Sequence, residues 1–286
     1  MSGLRRGLAV LVTRAPEQAD ELCDLLLNAG FEPVCLPLIA PQPVAETMAL
    51  DGALRRLESY RWIVFSSANA VRFVAARAAT LGLTGALARH RGIVAGPATA
   101  ALLGQYGFRA ALVPSPFSAE RAAEALAARL EAGCPVLLPR AAGGREALAS
   151  TLRALGAVVD EVVVYRTAPV PENGALAVQG LADGRFGAVA FFSPSAVHSL
   201  AAAAASQPAS GRARSPRRLL EGVVTACIGP TTAHAIEEAG WQVDVVAPDT
   251  TAAALVEALA RHVGVGSETH VVDREHSATY RAVTKV

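Results

Sequence analysis

The chain has no apolar stretch long enough to cross a bilayer, although 52% of its 286 residues are hydrophobic. It also has almost no net charge, with 26 basic residues against 25 acidic ones. That balance argues against a nucleic-acid binder relying on a basic face. It leaves anionic small ligands open, because backbone amides can hold them without basic side chains. Cysteine is scarce: Cys23, Cys35, Cys134 and Cys227 are scattered, form no CxxC pair, and read as small core residues kept reduced. The histidines are equally dispersed and none has metal spacing, so no metal is expected. No GxGxxG follows a strand, and Ala141-Ala142-Gly143-Gly144 lacks the acidic follower that a dinucleotide site needs. GxxxxGK[ST], a GxSxG elbow and a Ser/His/Asp set are missing as well. The run Leu8–Val12 after Arg5 and Arg6 is too short for a signal sequence and has no small-residue cleavage site. It reads as a first buried strand, and a cytoplasmic location is expected.

What the chain does have is internal repetition. A shift of 126 residues lays Val10-Leu11-Val12-Thr13-Arg14-Ala15 on Val136-Leu137-Leu138-Pro139-Arg140-Ala141. The same shift lays Phe65-Ser66-Ser67-Ala68-Asn69 on Phe191-Phe192-Ser193-Pro194-Ser195. Further on the shift becomes 133, and Gly96-Pro97-Ala98-Thr99 meets Gly229-Pro230-Thr231-Thr232. The extra residues fall in an Ala, Ser and Arg-rich stretch at 206–218, an exposed loop by composition.

Each copy reads as three strand–helix modules. The first has a strand at Leu8–Val12, an amphipathic helix at Glu17–Asn28, a stop at Gly30 and a strand at Pro33–Leu38. Trp62–Phe65 with a helix opening at Ser66 to Asn69 is the second. Ile93–Val94, a Gly-Pro turn, a helix from Thr99 and a strand at Ala111–Val113 make the third, and further helices begin near Ser118 and Thr251. Such alternation of short apolar strands with helices predicts an α/β fold of two similar lobes. Each is a parallel sheet covered by helices on both faces, in the flavodoxin-like manner. Proline-bearing extended runs at 37–41 and 167–171 are the expected linkers. They divide the chain into a discontinuous lobe, 1–36 with 172–263, and a continuous one, 42–166. Two adjacent linkers would hinge a cleft, and the tail 264–286 is expected to be poorly ordered.

Candidate site residues lie where strands hand over to helices. Ser66, Ser67 and Asn69, then Thr99, then Ser193 and Ser195, then Thr231 and Thr232 sit at four such turns. In open parallel sheets ligands bind beyond the carboxyl ends of strands, and helix N-termini there seat carboxylates or phosphates. Ser, Thr and Asn also cap helices everywhere, and either role fits any one of them. Four such turns, two in each lobe, favour a ligand cleft. Arg14 and Arg140 follow equivalent strands and Arg145 opens the next helix, so each is a carboxylate clamp or a solvated loop arginine. Tyr165, just before the second linker, is a hinge residue offering a weak acid or a packing ring.

In order along the chain, several motifs resemble the uroporphyrinogen-III synthase family: Val12-Thr13-Arg14, Gly30-Phe31-Glu32-Pro33, Phe65-Ser66-Ser67-Ala68-Asn69-Ala70-Val71, Gly143-Gly144-Arg145-Glu146-Ala147-Leu148, Val164-Tyr165-Arg166-Thr167, Phe192-Ser193-Pro194-Ser195-Ala196-Val197 and Ile228-Gly229-Pro230-Thr231-Thr232-Ala233. The resemblance runs from about residue 8 to 260. It implies a cofactor-free enzyme that closes the linear tetrapyrrole hydroxymethylbilane, losing water and inverting ring D. It implies Tyr165 as the residue assisting departure of the hydroxyl, with the hydroxyl-rich turns and the arginines as contacts for the substrate's eight carboxylates. A monomer is expected, taking the bilane by transient handover from hydroxymethylbilane synthase, with no nucleic acid or membrane as partner. The rival from another class is a non-catalytic bilobal protein that binds an organic polyanion. A phosphosugar enzyme would need a catalytic base that the chain does not offer.

Overall fold

The computed structural model describes residues 7–14, 19–144, 146–206 and 216–264. Arg145, most of the 206–218 stretch and the tail from 265 lie outside the described residues, as do residues 15–18. Two compact units divide the rest. Residues through Ala40 and from Pro169 onward form the first, and Pro41–Ala168 form the second.

The first unit contains β1 (Leu8–Val12), α1 (Asp20–Asn28) and β2 (Phe31–Cys35). The second unit's sheet takes β3 (Ile39–Pro43), β4 (Trp62–Phe65), β5 (Ile93–Ala95), β6 (Pro135–Ala141) and β7 (Val158–Pro169). Its helices are α2 (Met48–Arg55), α3 (Ala68–Thr80), α4 (Thr84–Arg89), α5 (Pro97–Gln105), α6 (Ala119–Ala127) and α7 (Ala147–Ala154). The chain then returns to the first unit with α8 (Pro171–Ala182), β8 (Ala188–Phe191), α9 (Pro194–Ser206), β9 (Val224–Cys227), α10 (Pro230–Glu238), β10 (Val245–Val246) and α11 (Ala252–Val263).

Strand order is β10-β9-β8-β1-β2 in one sheet and β3-β7-β6-β4-β5 in the other. The first sheet is parallel throughout, and so are β7, β6, β4 and β5 of the second. The physical cause is burial on both faces. In β4, Trp62 and Val64 pack into one layer while Ile63 and Phe65 pack into the other. In β1, Val10 and Val12 face one core and Leu11 the opposite one. Burying a side chain of Phe65 or Phe191 type contributes roughly 1.5–3 kcal/mol, so these short strands are secured by packing more than by length.

Several boundaries differ from the sequence reading. The second strand ends at Cys35 and not at Leu38, because the chain leaves the first sheet to supply β3 to the second. The fifth helix starts at Pro97, two residues before Thr99, with proline in the first turn where a missing N–H costs nothing. The strand expected at Ala111–Val113 shrinks to one bridge between Val94 and Leu112. Ser118 and Thr251 do cap their helices, accepting from the N–H groups of Arg121 and Ala254. Among the described residues no helix is long and apolar enough to cross a membrane.

Candidate functional site

In the second unit, β4, β5, β6 and β7 run in one direction, so their carboxyl ends share one edge. Chain direction across the sheet reverses between β4 and β6, the switch point where open sheets leave a crevice for ligands. Ser66 and Ser67 follow β4 at that point, while Arg140 and Ala141 close β6 and Ala142 to Gly144 follow it.

Ser67 has extended backbone and caps α3, its Oγ accepting the N–H of Ala70 at 3.1 Å. Its hydroxyl also lies 3.2 Å from the phenolic oxygen of Tyr165. Tyr165 stacks on Phe73 of α3 with ring centroids 5.4 Å apart and is 9% exposed. What brings it there is a register shift. Arg140 pairs with Val163, but Ala141 pairs with Tyr165, leaving Val164 as an extra residue on β7. Strict alternation would send Val164 and Tyr165 to opposite faces. The bulge instead puts Val162, Val164 and Tyr165 all into the core layer beneath α3. A bulge of this kind leaves little trace in sequence.

The remaining expected residues of this unit are distributed unequally. Ser66 is exposed, and Asn69 accepts from Arg72 at 2.9 Å. Thr99 is buried in the first turn of α5 behind Gly96. Helix geometry gives the N–H groups of Ala68, Asn69, Ala98 and Thr99 no intrahelical acceptor, so two helix N-termini present donors at this edge. Arg140 is already engaged, its guanidinium donating to the Glu161 carboxylate and to the Gly144 carbonyl. Arg153 reaches the same carboxylate at 2.8 Å. Burial works to raise the Glu161 pKa, but the hydrogen bonds from Arg153 and Arg140 prevail and hold it below the usual value. Arg140 therefore braces the turn after β6. Arg145 lies outside the described residues.

The first unit repeats the pattern with different chemistry. Its switch point falls between β1 and β8. There the guanidinium of Arg14 lies over the Phe192 ring, 5.4 Å from its centroid. Thr13, quoted in the opening motif but not among the candidate site residues, is 1% exposed and donates its hydroxyl to the Ala190 carbonyl at 2.9 Å. Thr13 thereby pins the end of β1 to β8. The Ser193 hydroxyl accepts the Ala196 N–H at 3.3 Å, as Ser67 does for Ala70, while Ser195 is exposed. Thr231 is exposed and Thr232 buried at the start of α10. Ile39, the repeat counterpart of Tyr165, carries no hydroxyl, so only the second unit has a phenol at this place.

Parallel sheets with helix N-termini at their carboxyl edges define a two-unit α/β protein. A model of the family described as uroporphyrinogen-III synthase HemD matches residues 20–257. The chain belongs to that family. The uroporphyrinogen-III synthase of Synechococcus elongatus is 30% identical over 257 residues, covering 88% of this chain and 94% of the relative. A Methanothermobacter thermautotrophicus protein, provisionally named for the same activity, is 32% identical over 260 residues, covering 88% and 98%. The crystal structure of the Helicobacter pylori uroporphyrinogen-III synthetase superposes with a TM-score of 0.53 at 17% identity, over 87% of this chain and 97% of that one. That likeness shows the shared fold.

Proposed function

We propose that this chain is a uroporphyrinogen-III synthase, converting hydroxymethylbilane to uroporphyrinogen III with loss of water and inversion of ring D. The observation that carries the reading is the Ser67–Tyr165 hydroxyl pair at the carboxyl edge of the second sheet, beside two helix N-termini.

The reaction needs an acid where the terminal hydroxyl departs, because hydroxide is a poor leaving group. Tyr165 supplies it. Ser67 Oγ already accepts from Ala70, so its own O–H is available to donate to the phenolic oxygen. That arrangement frees the tyrosine proton for the departing hydroxyl and stabilises the negative charge that builds on the phenol as the proton moves. Loss of water leaves an azafulvene-like cation on the bilane. Ring D attacks through its substituted carbon to give a spiro intermediate, and cleavage with recombination at the other position closes the inverted macrocycle. The bilane also closes unaided to the non-inverted isomer, so orienting ring D is as much the task as lowering a barrier. Carboxylates of the bilane are assigned to the free N–H groups at the starts of α3 and α5. Ser66 is the exposed hydroxyl beside those ends.

The test is to generate hydroxymethylbilane in situ in the presence of the folded chain and separate the oxidised products by isomer. Predominantly type III product is expected. Type I alone would leave the chain a binder of polyanions.

A further inference from the structure

The four cysteines carry no spacing motif, yet two of them meet. Cys23 lies on α1 and Cys35 closes β2, and the turn through Gly30 folds helix back onto strand. Their sulfurs are 3.3 Å apart. Both belong to the same apolar layer, where Cys23 is 3% exposed and Cys35 is partly open to solvent. Cys134 and Cys227 are buried in other layers, and no disulfide joins any two of the four.

We propose that Cys23 and Cys35 form an oxidisable dithiol site that reacts with small disulfides. The partly open Cys35 reacts first. As thiolate it attacks one sulfur of an oxidised glutathione-type disulfide, whose S–S bond breaks and releases one thiolate. Cys23 then gives up its proton and attacks the Cys35 sulfur, expelling the second small thiolate as the Cys23–Cys35 bond forms. Two protein thiols are oxidised to one disulfide, and the small disulfide is reduced to two thiols once the released thiolates take up the two protons. The geometry favours the second step over persistence of the mixed disulfide, because the resolving sulfur already sits in contact and needs to close by only about 1.2 Å to reach a normal S–S length of ~2.05 Å. Neither sulfur belongs to the Tyr165 pair, so the inference stands apart from the proposed activity. Its position is nevertheless close to that unit's working edge. The residue after Cys35 donates its N–H to the Val12 carbonyl at 3.0 Å, two residues before Arg14.

The experiment treats the folded full-length chain with oxidised glutathione, blocks remaining thiols by alkylation after denaturation, and maps the peptides by mass spectrometry. The expected result is a Cys23–Cys35 linked peptide pair, reversed by dithiothreitol, with Cys134 and Cys227 alkylated. In Cys23→Ser the expected result is a stable glutathione adduct on Cys35, since the resolving sulfur is gone. Circular dichroism before and after treatment distinguishes reaction of the native chain from reaction of unfolded material. Alkylation of both Cys23 and Cys35 in the treated wild type would overturn the proposal. So would an undischarged glutathione adduct on wild-type Cys35, or linkage that appears only when the chain is unfolded.

Discussion

Ser67 has two tasks, and its removal should be read in both. Replacing it by Ala deletes the cap on Ala70 and the partner of Tyr165. Loss of the cap is expected to cost about 1 kcal/mol, visible as a lower denaturation midpoint. Turnover should fall as well, while Ser67→Thr, which keeps an oxygen there, should recover most of both. His90 makes a different residue-scale prediction. Its Nε2 faces the Tyr60 carbonyl at 2.9 Å, while Nδ1 accepts the Gly92 N–H at 3.2 Å, an arrangement that requires the neutral ring. Burial is the main cause that pushes the His90 pKa below its ordinary 6.5, the nearby Arg61 charge adding to it and the Tyr60 carbonyl opposing it. The folded pKa is therefore the lower one, so the unfolded chain takes up a proton first as pH falls. Stability should be fully present above about pH 6.5 and decline below it through this group. His90→Gln should flatten that part of a denaturant-midpoint profile, and an unchanged slope would reject the assignment. Residue roles were only partly legible in the sequence. Ser67 stood out because a hydroxyl followed a strand and Tyr165 because it preceded the second linker, whereas Arg140 looked like Arg14. Only the fold reveals that Glu161, 21 residues away, occupies its guanidinium.

At the scale of elements, close approach and ion pairing explain what periodicity could not. Gly92 enters β5 where a Cβ would lie 1.9 Å from the Arg61 carbonyl oxygen, a backbone atom that cannot step aside. Gly92→Ala should therefore destabilise the chain by roughly 1–3 kcal/mol or more, measured by thermal or denaturant unfolding. Helices α2 and α3 are joined by Arg77, whose Nε and Nη2 each meet an Asp51 oxygen at 2.6 Å. The side-chain hydrogen bonds from Arg77 hold the Asp51 pKa below its ordinary 3.8. The pair's contribution is thus present above pH 3.8 and lost as pH falls below it. Asp51→Asn should lower the melting temperature at neutral pH, and the gap from wild type should close in strong acid. The strands β1, β4 and β5 were legible because continuous apolar runs imply burial on both faces. The bulge in β7 was not, since Val162-Val163-Val164-Tyr165 reads equally well as unbroken alternation. The strand expected at Ala111–Val113 failed for a related reason: apolar content allowed it, but the pairing with β5 amounts to a single bridge at Leu112.

For the whole molecule, the repeat was the most informative feature of the sequence, and its structural expression is an exchange. Strands β1 and β2 from the first copy join β8, β9 and β10 from the second in one sheet, while β4 and β5 join β6 and β7 in the other. The long strand β7 of the second copy corresponds to β2 plus β3 of the first, which are split between the two sheets. Repetition of sequence cannot reveal that exchange, because equivalent modules have the same pattern whichever partner they choose. It does explain how duplicated edges come to differ in chemistry. At equivalent places one unit has Ile39 and the other Tyr165, so a phenol stands at one edge and an aliphatic side chain at its counterpart.

The measurement that bears most directly on this account is the isomer ratio produced by Tyr165→Phe beside the wild type, at matched folded concentration. Phenylalanine keeps the stack on Phe73 and removes only the hydroxyl, so the melting temperature should change little. Type III formation should slow by about 100-fold or more, the range expected for loss of a general acid. Unaided closure would then overtake it and shift the product to type I. A variant that still gives type III at the wild-type rate would contradict the assignment of Tyr165 and the mechanism built upon it.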